Sequence, residues 1–267
     1  MFNRFIITTS LLVFICSCST VPITGRSQLN LIPGSSMLSM SLQQYDQFLK
    51  EHKVSTNKQQ TAMVQRVGKS IQGAVERYFA ASGLQGYLAD YKWEFNLVED
   101  KQVNAWCMPG GKVVVYTGIL PVAKDDAGLA VVMGHEIAHA IAEHGNERMS
   151  QGLLVQMGGV ALSTALSTQA AATKDLWMSV YGAGSQYGAI LPYSRMQENE
   201  ADHLGLVFMT MAGYDPDAAI SFWERMAAGK GGQAPPEFLS THPASATRIA
   251  NIRRLVPEVK RNYGVQH

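Results

Sequence analysis

From residue 37 to 82 apolar positions recur every three or four residues. Met63, Val64, Val67, Ile71 and Val75 share one helical face, which predicts helix through this region. The period changes over 91–118. Tyr91-Lys92-Trp93-Glu94-Phe95-Asn96-Leu97-Val98 alternates, and the β-branched run 112–117 follows the turn residues Pro109-Gly110-Gly111, which predicts a small antiparallel sheet. Asp125 or Asp126 then offers an N-cap for a helix over about 127–143. Its middle, 129–141, is apolar on nearly every face, as in a helix buried all round. Small residues dominate 152–172, where Gln156 and Gly158-Gly159 interrupt the apolar run, so this stretch predicts closely packed helix and not a bilayer span. Two further helical patterns cover about 193–211 and 244–255. No repeat or linker divides the chain, so residues 37–267 are expected to form a single, mainly helical α+β domain.

The start of the chain reads differently. One charge (Arg4), the apolar run 5–15 and then small residues make the three parts of an export signal over 1–17. Ile15-Cys16-Ser17-Cys18 resembles a bacterial lipobox, which makes Cys18 the acylated first residue of the mature chain. Ser19 after it favours the outer membrane by resemblance to sorting rules. The expectation is a lipid-anchored protein facing the periplasm, with the turn-rich stretch 18–36 as its tether. Loss of Cys16 and modification of Cys18 would leave Cys107 without a disulfide partner, so stability must come from the core.

Composition narrows the function classes. The 267 residues are 46% hydrophobic and 16% charged, which excludes a disordered or coiled-coil chain. Lys and Arg number 22 against 21 Asp and Glu, with no basic cluster, which excludes nucleic acid as the expected partner. Oligomeric state has no sequence signature here.

The chemistry is concentrated in His135-Glu136-Ile137-Ala138-His139, inside the apolar helix. Residues four apart on a helix differ by about 40° around the axis and roughly 6 Å along it, so both imidazoles can reach one zinc ion. Glu136 stands beside that site as the candidate general base. Buried histidines and a glutamate would be costly without a metal and hydrogen bonds to compensate them. A third ligand is needed. Ala142 and Gly145 stand where the longer metzincin motif needs glycine and histidine, so that class is excluded. In Ser194-Arg195-Met196-Gln197-Glu198-Asn199-Glu200-Ala201-Asp202, Glu198 and Asp202 share a helix face with Ala201 and Gly205, while Glu200 points away. Glu198 is therefore the expected ligand, and Asp202 the acceptor for a histidine ring N–H. The small Gly134, Ala138, Ala201 and Gly205 would let the two helices approach closely.

With these residues in place the chain resembles the HtpX and CAAX-prenyl-protease family of gluzincin metallopeptidases, in its soluble periplasmic lipoprotein branch. The matches run in order: Thr20-Val21-Pro22-Ile23-Thr24-Gly25-Arg26, Asn104-Ala105, Pro109-Gly110-Gly111, 134–139, Glu147-Arg148-Met149-Ser150-Gln151, 194–202, and Thr241-His242-Pro243 with Arg248-Ile249. The resemblance implies a gluzincin fold with its small sheet packed on the active-site helix. It also implies an endopeptidase using one zinc ion per chain, with His135, His139 and Glu198 as ligands and Glu136 as base. Asn104, Ala105 and Trp106 look like an edge strand that pairs with extended substrate. His242 could stabilise the oxyanion or block the open zinc position; a plain turn residue is the competing reading. Unfolded or misassembled envelope proteins are the expected substrates. The alternative is a lipoprotein chaperone that keeps the fold without turnover. His52, His144 and His267 are expected to be exposed bystanders, His203 faces away from Asp202, and Cys107 is expected to be a small hydrophobe.

Overall fold

The computed structural model describes residues 18–186, 190–228 and 237–264. In chain order its elements are β1 (Cys18–Thr20), β2 (Ser27–Leu29), α1 (Gly34–Glu51), α2 (Lys58–Ala81), β3 (Glu94–Val98), β4 (Ala105–Met108), β5 (Lys112–Tyr116), α3 (Asp126–Ile141), α4 (His144–Ala165), α5 (Ala171–Ser185), α6 (Leu191–Met211), α7 (Ala218–Ala228), α8 (Glu237–Thr241) and α9 (Ala246–Tyr263). The class is the expected mainly helical α+β. Two compact units form, and residues 37–267 contribute to both. One unit joins the described residues up to Met37 with Ala142–Gln197; the other joins Leu38–Ile141 with Glu198–His267. The expected leader over 1–17 lies outside the described residues, as does His267.

The larger unit holds a three-stranded sheet in the order β3-β5-β4. It is mixed, which corrects the antiparallel expectation: β4 is antiparallel to β5, while β3 is parallel to it, with Phe95 beside Val113 and Leu97 beside Val115. Alternation along a strand fixes its faces but not the direction of its partner. Gly110 and Gly111 adopt φ of 85° and 79° and turn β4 tightly back into β5. That hairpin makes β5 antiparallel to β4, and β3 pairs in parallel with the other edge of β5. The helix expected over 37–82 is broken into α1 and α2. Ser55 N–H donates to Leu97 O at 2.8 Å, and Asn57 caps α2 by accepting from Gln60 N–H at 3.1 Å.

Helix α3 starts where Asp125 Oδ1 accepts the Gly128 N–H at 2.8 Å. Every residue from Gly128 to Ile141 is buried. Tyr87 Oη donates to the Ile141 carbonyl at 2.7 Å and satisfies one orphaned end of the helix. Helix α6 crosses α3 almost backbone to backbone: a Cβ added at Gly205 would lie 2.9 Å from His135 N and 3.0 Å from Gly134 C. This contact sets the separation between the two helices that carry the candidate ligands.

In the smaller unit the expected tether is folded. β1 and β2 pair as an antiparallel hairpin, Val21 is fully buried, and Arg26 forms a two-pronged bond to Glu147 at 2.8 and 2.9 Å. Leu31 N–H donates to Ser150 Oγ, and Asn146 donates to Ile32 O, both at 2.8 Å. Polar, turn-rich composition concealed this because its anchoring partners lie on α4, over a hundred residues away. Gln197 donates to the same Glu147 carboxylate at 2.7 Å. His144, expected on the surface, is fully buried at the start of α4. The small-residue stretch is helical apart from the connection between α4 and α5. Among the described residues no helix is long and apolar enough to cross a membrane.

Candidate metal centre

Helix α3 presents His135 and His139 on one face, α6 presents Glu198, and the turn after α8 presents His242. One ligand atom from each of the four lies within 4.8 Å of all the others, and all four residues are buried. His135 Nε2 is 3.1 Å from His139 Nε2 and 3.1 Å from His242 Nδ1. The Glu198 carboxylate reaches His139 Nε2 at 3.2 Å, His135 Nε2 at 3.4 Å and His242 Nδ1 at 2.9 Å. Ligands held about 2.0–2.1 Å from a tetrahedral zinc are about 3.3–3.5 Å apart, so the spacing suits that ion. The chemistry of the set agrees. Imidazole nitrogens aimed at one another share too few protons to satisfy every lone pair, and a cation at their focus satisfies them together. The residues present therefore fit one zinc ion.

Behind His135 lies a second layer of partners. His135 Nδ1 is 3.1 Å from Asp202 Oδ1, and Arg248 grips Asp202 with two bonds of 2.7 Å. Arg248 Nη1 also reaches Glu198 Oε2 at 3.0 Å, and its guanidinium stacks 3.5 Å from the Trp223 ring centroid. Asp202 fixes the His135 ring with Nε2 turned toward the cluster, and Arg248 fixes Asp202. Burial and Arg248 both act to lower the His135 pKa, but bonds to Asp202 and Glu198 outweigh them and carry it up to about 9. Burial raises the Glu198 carboxyl, yet bonds from His135, His139 and His242 hold it well below the usual carboxylate range. Burial likewise opposes ionisation of Asp202, and the Arg248 charge with the His135 bond overcomes it.

Glu136 is buried next to the cluster, with Oε1 3.5 Å from His242 Nε2. Glu200, expected on the far side of α6 from Glu198, is also buried, and it is not among the residues whose ligand atoms converge. His203 stays outside the cluster, and His52 stacks on Phe48 with ring centroids 3.8 Å apart. β4, which carries Ala105 and Trp106, is an edge strand: β5 lies on one side, and no described strand lies on the other. Asn104 closes the pairing by accepting the Tyr116 N–H through its carbonyl at 3.1 Å. The Trp106 side chain is half-buried and packs edge-on against Tyr45 and Phe48. Cys107 is half-buried on the opposite strand face; desolvation, with Glu136 nearby, raises its thiol pKa, as expected of a small hydrophobe. Sequence reasoning assigned no role to Arg248, whose partners His135 and Asp202 lie 113 and 46 residues away. The only signal was its place in the ordered match after Thr241-His242-Pro243.

The model of peptidase family M48 matches residues 65–256, a span that includes every member of this cluster. The chain belongs to peptidase family M48. As a family M48 member it is a zinc metallopeptidase, consistent with the donor set. Among its relatives is the mitochondrial metalloendopeptidase OMA1 of Schizosaccharomyces pombe, 35% identical over 90% of this chain and 67% of its own length. The OMA1 protein of Saccharomyces cerevisiae is 37% identical over 64% of this chain and 49% of its own length. The β-barrel assembly-enhancing protease of Yersinia pestis is 30% identical over 63% and 35%. The chain spans between 34% and 67% of the length of the curated relatives it matches. These findings support family M48 and not the narrower branch expected from sequence. They also overturn the expected bacterial outer-membrane location, because the relatives matched over as much as 92% of the chain are named as mitochondrial proteins.

Proposed function

We propose that the chain is an endopeptidase that cuts unfolded or misassembled polypeptides presented to it as extended strands. In this reading His135, His139 and Glu198 hold the zinc ion. When bound, that ion supplies a Lewis acid that polarises the scissile carbonyl and acidifies the attacking water. Glu136 takes the proton from that water and passes it to the departing amine nitrogen. Asp202, held by Arg248, keeps the His135 tautomer and ring angle fixed. His242, with Nδ1 among the ligand atoms and Nε2 facing Glu136, occupies the space that water and substrate need, so it blocks the site until it moves aside. The open edge of β4, from Asn104 to Trp106, accepts substrate through main-chain hydrogen bonds, which gives weak sequence preference.

The observation that supports this reading most is the convergence of three imidazoles and a carboxylate beside a buried glutamate. The experiment is cleavage of unfolded casein, with products identified by mass spectrometry. Activity should vanish with a chelator, return with zinc, and fall by about 10²–10⁴-fold in Glu136→Gln while the ion stays bound. A Glu136→Gln protein that cuts as fast as the natural one would refute the assigned base. Acylation of Cys18 is a separate proposal resting on the sequence alone, and the mass of the N-terminal peptide from native material checks it.

A further inference from the structure

Between α1 and the open edge of β4 runs a groove of about 520 Å³. Its apolar lining is Met40, Phe48 and Met108, and Gln44, Gln47 and Glu51 form an exposed rim. The packing of α1 on the sheet puts this groove on the β4 side. Tyr45 reaches across to β3, where its hydroxyl donates to Glu94 at 3.0 Å. Phe48, about 60° around the helix from Tyr45, packs on Trp106 of β4 with ring centroids 4.9 Å apart. Residues 40, 44, 47 and 51 lie about 100–160° from Tyr45 in the same sense, on the flank of α1 next to the open edge of β4.

That edge is set to pair. The Tyr116 N–H donates to the Asn104 carbonyl at 3.1 Å, so in this register Asn104, Trp106 and Met108 bond to β5. Ala105 and Cys107 turn their main-chain groups the other way, and Asn104 Oδ1 accepts the Ala105 N–H at 2.9 Å. An added strand places each side chain on the same face as the residue opposite it, with Cβ atoms about 4.5–5.5 Å apart. A residue opposite Met108 therefore points to the α1 side, into the groove. Its neighbour opposite Cys107 points to the α3 side, where Glu136 lies nearby. The geometry points to this groove as a specificity subsite that takes one large apolar side chain of a bound polypeptide, such as leucine, methionine or phenylalanine, and rejects aspartate and glutamate. The thioethers of Met40 and Met108 adapt to different apolar shapes. Glu51, which accepts a bond from Gln47, is the only charge among the described lining residues, so a second carboxylate would meet repulsion and no partner. Because Met108 adjoins Cys107, the occupied position lies within about three residues of the cut bond. This subsite rests on the peptidase reading and on pairing with β4, and it names the side chain of the substrate that is read.

The test takes an unfolded peptide that the zinc-loaded full chain cuts at one bond, with each residue near that bond replaced in turn by leucine and by aspartate. At one position aspartate should slow cleavage at least about tenfold relative to leucine. Gln44→Lys, an exposed change, should recover about three- to fivefold of that loss at this position and at no other. A second measurement needs no turnover. In Glu136→Gln protein, a diazirine analogue of leucine carried at successive positions should cross-link to Met40, Gln44 or Met108 from one position and not from its two neighbours. Cross-links that never reach α1 or Met108 while casein is cut would overturn the subsite and leave the peptidase reading standing. An unchanged preference in Gln44→Lys would do the same. A chain that neither cuts casein nor captures the analogue would overturn both.

Discussion

Replacing Gly205 with alanine tests whether the approach of α6 to α3 sets the metal site. The new Cβ would sit 2.9 Å from His135 N, about 0.5 Å short of the 3.4 Å at which ordinary contact begins, and every atom it meets is backbone. No side chain can rotate away, so the helices must part. Overpacking of this kind costs about 1–3 kcal/mol, against about 1 kcal/mol gained when alanine replaces glycine inside a helix. The net loss of stability is about 0–2 kcal/mol, and the fold survives. The metal site is less tolerant, because ligand distances must hold within about 0.2 Å. Glu198 sits two turns along α6 from residue 205, so even half of the displacement exceeds that margin. Gly205→Ala should keep a melting temperature near that of the natural protein yet bind zinc at least about tenfold more weakly, read by competition with a fluorescent chelator. A variant that is more stable and binds zinc as tightly as before would refute the claim that this contact sets ligand spacing.

Arg248→Lys keeps a positive charge but loses the paired hydrogen bonds to Asp202, and should cost about 10–100-fold in zinc affinity or activity, measured by chelator competition and casein cleavage. Acidity should act on the zinc-free protein in a defined direction. His135 is raised from 6.5 to about 9, so its contribution to stability is complete below about pH 6.5 and is lost as pH rises through about 9. Thermal melts in chelator should therefore fall across that window, while zinc occupancy rises across it because the metal displaces the proton. Melts that are flat or rise between pH 6.5 and 9 would contradict the protonated His135 network.

How much was legible in the sequence varied with the range of the interactions. His135, Glu136 and His139 are fixed by a four-residue spacing on one helix, and Glu198 with Asp202 by the same spacing on another, so their shared faces followed from helix geometry. Their convergence also needed Gly134 and Gly205, whose small size was visible although their contact was not. The direction of β3 was hidden because alternation is the same in parallel and antiparallel strands. Arg26 gave no sign of being anchored, since Glu147 lies 121 residues away. His144 was expected on the surface, but Glu143 turns left-handed at φ 54° and starts a new helix whose first residue, His144, is buried. Arg248 shows the same limit: burying a guanidinium requires Asp202, Glu198 and Trp223 to assemble around it from two other helices.

The most direct test of the zinc site is anomalous diffraction at the zinc edge from crystals of the protein grown with zinc. One peak should lie about 2.0–2.2 Å from His135 Nε2, His139 Nε2 and an oxygen of Glu198. A zinc peak elsewhere in the chain, or one at this place that Glu198 does not contact, would contradict the account.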